Sequence, residues 1–107
     1  MEPRVFTKGL LERANARALE LGYNRATSVS FLANLPDGFY TPKYTLLHEH
    51  KAGARCAPHV RCIFDHAGDY FAIDVEMKIW DILPPHSEFA RSVNNVLAER
   101  AAGNIYV

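Results

Sequence analysis

The stretch from Val60 to Val75 constrains the fold more than any other part of the chain. When a tight turn is centred on Ala67 and Gly68, Phe64 falls opposite Phe71, Cys62 opposite Ile73 and Val60 opposite Val75, all on one face. The other face then sets Arg61 against Asp74 and His59 against Glu76, a favourable cross-strand pattern. One register satisfies both faces. A slip of one residue would send Arg61 and Asp74 to opposite sides of the sheet, so the pairing is strongly specified.

Helical periodicity flanks this hairpin. Thr7 is a hydroxyl N-cap, with Phe6 before it and Leu11 four residues in, and Leu10, Leu11, Ala14, Ala18 and Leu21 form an apolar stripe. Glu12, Arg13, Arg17 and Glu20 take the wet side, where Arg17 and Glu20 are spaced to pair. Gly22 followed by Tyr23 is the expected Schellman ending. A second helix is expected from about Pro85 or Ser87 to Ala102, because Phe89, Val93, Val96, Leu97 and Ala101 recur at three and four and Gly103 closes the run. Between the helices the period is two. Val29, Phe31, Ala33 and Leu35 alternate with Ser28, Ser30 and Asn34, which predicts a strand over Ser28 to Leu35; Tyr44 to His50 reads as another. The expected fold is α+β: an N-terminal and a C-terminal amphipathic helix on a mostly antiparallel sheet of about four strands, with both helices on the Val60, Cys62, Phe64, Phe71, Ile73, Val75 and Met77 face.

The 107 residues suit a single domain, 1–107, and 49% hydrophobic with 22% charged residues is a globular composition. Twelve basic residues balance twelve acidic ones, so no overall positive field draws the chain to nucleic acid or an anionic membrane. Met1 to Leu11 has Arg4 and Lys8 but no apolar run suited to a signal peptide, and no stretch approaches the ~20 apolar residues of a membrane helix. A cytoplasmic protein is expected, with Cys56 and Cys62 kept as thiols.

Four of the five histidines fall between positions 48 and 66. His48 and His50 point the same way along a strand, and with His59 and Glu76 they form the one arrangement that would suit zinc or a 2-His-1-carboxylate iron site. That convergence needs a tight turn after His50, which Pro58 and the small residues of Ala54 to Ala57 do not specify, so no metal and no cofactor are expected. Cys62 reads as a small core residue, and Cys56 beside His59 lacks the surroundings of an activated thiol. No phosphate-cradling glycine loop, Gly-x-Ser-x-Gly elbow or His-Glu-x-x-His motif is present, and a conventional hydrolase, kinase or dehydrogenase is not expected.

Leu21, Gly22, Tyr23, Asn24, Arg25, Ala26, Thr27 and Ser30 loosely resemble the turn and recognition helix of helix-turn-helix repressors. The resemblance spans Ala18 to Asn34, about a sixth of the chain, and requires an extra residue within the second helix. It implies that Asn24, Arg25, Thr27 and Ser28 would face a DNA major groove. The alternating pattern of Val29 to Leu35 and the neutral charge oppose it.

The remaining signal is the second face of the sheet. The hairpin register that places Arg61 and Asp74 there also places Ile63, Tyr70, Ala72 and Trp80 there, with Tyr44 and Leu46 as further candidates. An apolar-aromatic patch rimmed by charge marks a contact surface. The expectation is a non-catalytic binding or regulatory protein that self-associates through Trp80, Tyr70, Ile63, Arg61 and Asp74, with a helix-turn-helix DNA binder and a histidine-based metal protein or small enzyme as the alternatives.

Overall fold

The computed structural model describes residues 3–23, 27–48 and 58–86. Among them the order is β1 (Phe6–Thr7), α1 (Lys8–Glu20), α2 (Val29–Ala33), β2 (Phe39–Tyr40), β3 (Tyr44–His48), β4 (His59–His66), β5 (Asp69–Glu76) and α3 (Met77–Ile82). The fold is α+β and its strands pair antiparallel. They form two sheets, β3-β4-β5 and the short pair β1-β2, where a single sheet of about four strands was expected.

The hairpin adopts the register its side chains dictate. Val60 pairs with Val75, Cys62 with Ile73 and Phe64 with Phe71, and all six are buried. Ala67 and Gly68 both take positive φ, 52° and 84°, as the two central residues of a type I′ turn must. Phe64 stacks on Phe71 with ring centroids 5.0 Å apart, and Phe6 meets Phe64 edge-on at 5.4 Å. Leu11, Ala14, Leu32, Leu35, Trp80 and Leu83 complete the core on this inner face.

Helix α1 begins and ends as its sequence specifies. The Thr7 hydroxyl accepts from the Leu10 amide, and Gly22, at φ 75°, lets the Tyr23 amide donate back to the Ala18 carbonyl and the Gly22 amide to Leu19. Leu11, Ala14 and Ala18 are buried, and so is Asn15, whose amide donates to the Thr27 carbonyl while its Oδ1 accepts from the Thr27 amide. This pair of bonds ties the segment after α1 to the helix. The Thr27 hydroxyl donates to the Ala72 carbonyl on the edge of β5.

Two expectations are corrected. Residues 29–33 are helical rather than extended: Leu32 interrupts the alternation, and Phe31, Leu32 and Leu35 share a helical spacing that turns them inward. Trp80, expected on the outer face by continuing the alternation of β5, lies instead in α3 and is buried in the core. Met77, Trp80 and Leu83 recur at three, and Pro84 holds Leu83 extended and stops the helix. The Arg4 guanidinium lies 5.7 Å over the Trp80 ring, and Arg4 forms an antiparallel bridge with Pro85. The expected second amphipathic helix lies, beyond Pro85 and His86, outside the described residues.

Ala67 occupies a left-handed position that asparagine tolerates better, and Gly22 one that glycine alone takes at no steric cost. Ala67→Asn is therefore expected to raise unfolding stability by up to about 1 kcal/mol, and Gly22→Ala to lower it by about 1 kcal/mol. Urea midpoints at unchanged slope measure both.

Candidate functional site

Cross-strand pairing arranges the outer face in rows. Tyr44, Ile63 and Ala72 form one; Leu46, Arg61 and Asp74 the next; His48, His59 and Glu76 the last, with Tyr70 beyond the first row beside Asp65. The face is divided into a closed polar half and an open apolar half.

The closed half is built around Asp74, which is 1% exposed. A carboxylate at that depth requires a charged partner with matching geometry. Arg61, directly opposite, supplies it: Nε donates to Oδ1 at 2.8 Å and the terminal nitrogen to Oδ2 at 3.2 Å. His59 Nε2 lies 3.7 Å from Oδ1, an ion-pair distance if the imidazole is protonated and too long for a hydrogen bond. The His59 ring is sandwiched, stacked on Tyr23 at 4.0 Å and on His48 at 5.2 Å. Tyr23 reaches this position because the Schellman turn at Gly22 redirects the chain there, so a helix-stop signal in the sequence also roofs the site. Glu76, at the end of the row, accepts from Arg17 Nε at 2.9 Å, and this bond holds its carboxyl below the usual range. Arg17 also forms the expected pair with Glu20 at 2.9 Å.

The open half is Tyr44, Leu46 and Tyr70, exposed by 61%, 59% and 59%, around the half-buried Ile63. Lys43 lies over the two tyrosines. Its ammonium donates to the Tyr70 hydroxyl at 3.2 Å and sits 5.4 Å and 5.9 Å from the Tyr70 and Tyr44 ring centroids. Two tyrosines under a cation, with Leu46 beside a guanidinium already neutralised by Asp74, can take up an apolar or aromatic surface with hydroxyls at its rim. Of the contact residues expected from the sequence, Tyr70, Ile63, Arg61 and Asp74 share this face, and Trp80 does not. Lys43 and Tyr23 escaped the sequence reading. The signals that could have found them are the lysine immediately before β3 and the apolar residue after the helix-stopping glycine.

The arrangement offers little to nucleophilic or metal chemistry. Cys62 points inward, and burial pushes its thiol up to about 12. The His48 and His59 rings are within 9° of parallel, so their in-plane lone pairs run side by side and do not converge on one ion. Glu76 is directed to Arg17, and His50 and Cys56 lie outside the described residues. No group of three metal-ligating side chains forms among the described residues. Of the residues that the helix-turn-helix resemblance directs to DNA, Thr27 is bonded to Asn15 and to Ala72, Ser28 precedes a helix of five residues, and Asn24 and Arg25 lie outside the described residues. No described helix is long and apolar enough to cross a membrane.

Comparison with protein-family models, curated proteins and solved structures finds no match for this chain.

Removing one member of the Arg61–Asp74 pair strands the other. Breaking a fully buried pair costs roughly 3–5 kcal/mol, and because Arg61 keeps some solvent contact, Asp74→Ala is expected to cost about 2–3 kcal/mol. The double variant Arg61→Met with Asp74→Leu is expected to recover most of that loss, since no unpaired charge is left inside. Chemical denaturation of the two variants beside the wild type measures the difference.

Proposed function

We infer that this is a non-catalytic binding protein that works through the open half of the outer face and associates with itself there. The observation that carries this reading is that Tyr44, Leu46 and Tyr70 stand on one face of the sheet, each about three-fifths exposed. Water gains nothing from three such side chains held together on a rigid pleated surface, and their burial is the favourable term in forming a contact. Tyrosine supplies a large rigid ring with a hydroxyl that stays hydrogen-bonded at the rim, which is why contact centres are rich in it.

The polar half of the face supports the same reading. Arg61 and Asp74 satisfy each other, so the rows below Tyr44 contribute a fixed, electrically balanced floor rather than a charge seeking a ligand. A symmetric pair is the commonest assembly for a surface of this kind. The reduced cytoplasm is the compartment in which the inward-facing Cys62 thiol would be retained.

Sedimentation at micromolar concentration tests this reading. The wild type is expected to run at about twice the 12.0 kDa of one chain. Leu46→Asp and Tyr44→Ala, both at exposed positions on β3, are expected to run as monomers with an unchanged circular dichroism spectrum. A wild type that stays monomeric at 100 µM, on the order of the concentrations at which weak contacts form, would contradict it.

A further inference from the structure

We propose that the second copy joins laterally, its β3 strand pairing antiparallel with β3 across a two-fold axis at Leu46, so that two three-stranded sheets become one of six strands. This rests on the reading of the outer face as a contact surface and specifies how that surface is completed.

The decisive observation is that β3 exposes apolar side chains on both faces of the sheet. Tyr44 and Leu46 point outward and are 61% and 59% exposed; Leu47 points to the inner side, opposite Val60, and is still 39% exposed. A partner laid flat on the outer face would cover Tyr44 and Leu46 and leave Leu47 wet. A strand alongside β3 covers both sides at once, because its own residues alternate in step.

The two edges of the sheet are not alike. On β5 the Ala72 carbonyl is taken by the Thr27 hydroxyl, and the segment that Asn15 anchors runs along that side. Among the described residues nothing pairs with the outer side of β3. Edge strands are ordinarily blunted by proline, an inward-pointing charge or a bulge. Tyr44, Thr45, Leu46, Leu47 and His48 include none of these residue types, and their pairing with β4 runs without a break.

The strand is also complementary to itself. Antiparallel pairing about Leu46 sets Leu46 against its own mate, Tyr44 against His48 of the second copy, and Thr45 against Leu47 of the second copy. No like charges meet, since the five residues carry no carboxylate, lysine or arginine. The same axis joins the two outer faces into one continuous surface with the Tyr44 and Tyr70 clusters on either side.

Cysteine cross-linking of the full chain, in a Cys56→Ser, Cys62→Ala background that removes both native thiols, including the one directly opposite Thr45, tests the pairing. In the proposed register residue 45 of one copy lies directly opposite residue 47 of the other, with Cα atoms roughly 4.5–5.5 Å apart, within disulfide range. Residue 45 lies roughly 8 Å from its own counterpart, beyond that range. A mixture of Thr45→Cys and Leu47→Cys chains should therefore form a disulfide-linked dimer at least tenfold faster than either variant alone. Both side chains point away from the outer face, so flat docking cannot produce this pattern. A wild type that sediments as a dimer while the mixture fails to link would overturn the lateral pairing and leave the outer face as the contact surface. A wild type that sediments as a monomer would overturn both. Amide exchange on the unsubstituted chain supplies the same decision without cysteines: lateral pairing slows alternate β3 amides at least tenfold between dilute and concentrated samples, and equal rates contradict it.

Discussion

The β4–β5 hairpin determines the rest of the molecule because its register is fixed from both sides. On the inner face, Phe64 and Phe71 stack and Cys62, Ile73, Val60 and Val75 close against α1, α2 and α3. On the outer face, the bidentate contact between Arg61 and Asp74 forms only if those residues stand directly opposite one another. Apolar burial alone would tolerate several compact arrangements. The buried ion pair adds a penalty to each alternative, since a shift in register would leave Asp74 without its guanidinium.

The two halves of the outer face divide the labour between them. Asp74 is buried beside its partner and beside His59, whose Nε2 is 3.7 Å from Oδ1 and whose ring is roofed by Tyr23 and stacked on His48. Tyr23 arrives there through Gly22, whose left-handed backbone ends α1 and turns the chain. Helix termination at Gly22 thus places Tyr23 on the histidine row, and the same helix holds Thr27 through Asn15. The roof extends only as far as the histidine row. Beyond it, Tyr44, Leu46 and Tyr70 remain open, and there the sheet has surface to offer a partner.

The sequence made the parts governed by short-range rules legible. The hairpin register, the Thr7 cap, the Schellman stop and the Arg17–Glu20 pair each depend on residues a few positions apart, or on strict alternation across a two-residue turn. Two segments were misread for a common reason. In Val29–Ala33 and in Met77–Ile82 part of the apolar set alternates, Val29, Phe31 and Ala33 in the first and Met77 and Ile79 in the second, whereas Leu32 with Leu35, and Trp80 with Met77 and Leu83, recur at three. Both helices are short enough that packing decides between the two readings: Leu32 and Trp80 each find the inner face only as helix residues. Of the expected contact residues, those fixed by the hairpin stayed on the outer face, and the one extrapolated past its end, Trp80, did not. Tyr23 and Lys43 join the outer face through contacts across the fold, with Tyr23 36 positions before His59 and Lys43 27 before Tyr70, and no local pattern encodes such contacts.

The most direct test of this account is the cross-strand pairing in solution, read from nuclear Overhauser contacts between β4 and β5 together with ring contacts at the histidine row. The account predicts backbone contacts that place Arg61 opposite Asp74 and Cys62 opposite Ile73, and ring-to-ring contacts from His59 to both Tyr23 and His48. Contacts that place Arg61 opposite Ile73 or Val75, or a His59 ring that touches neither neighbour, would contradict it.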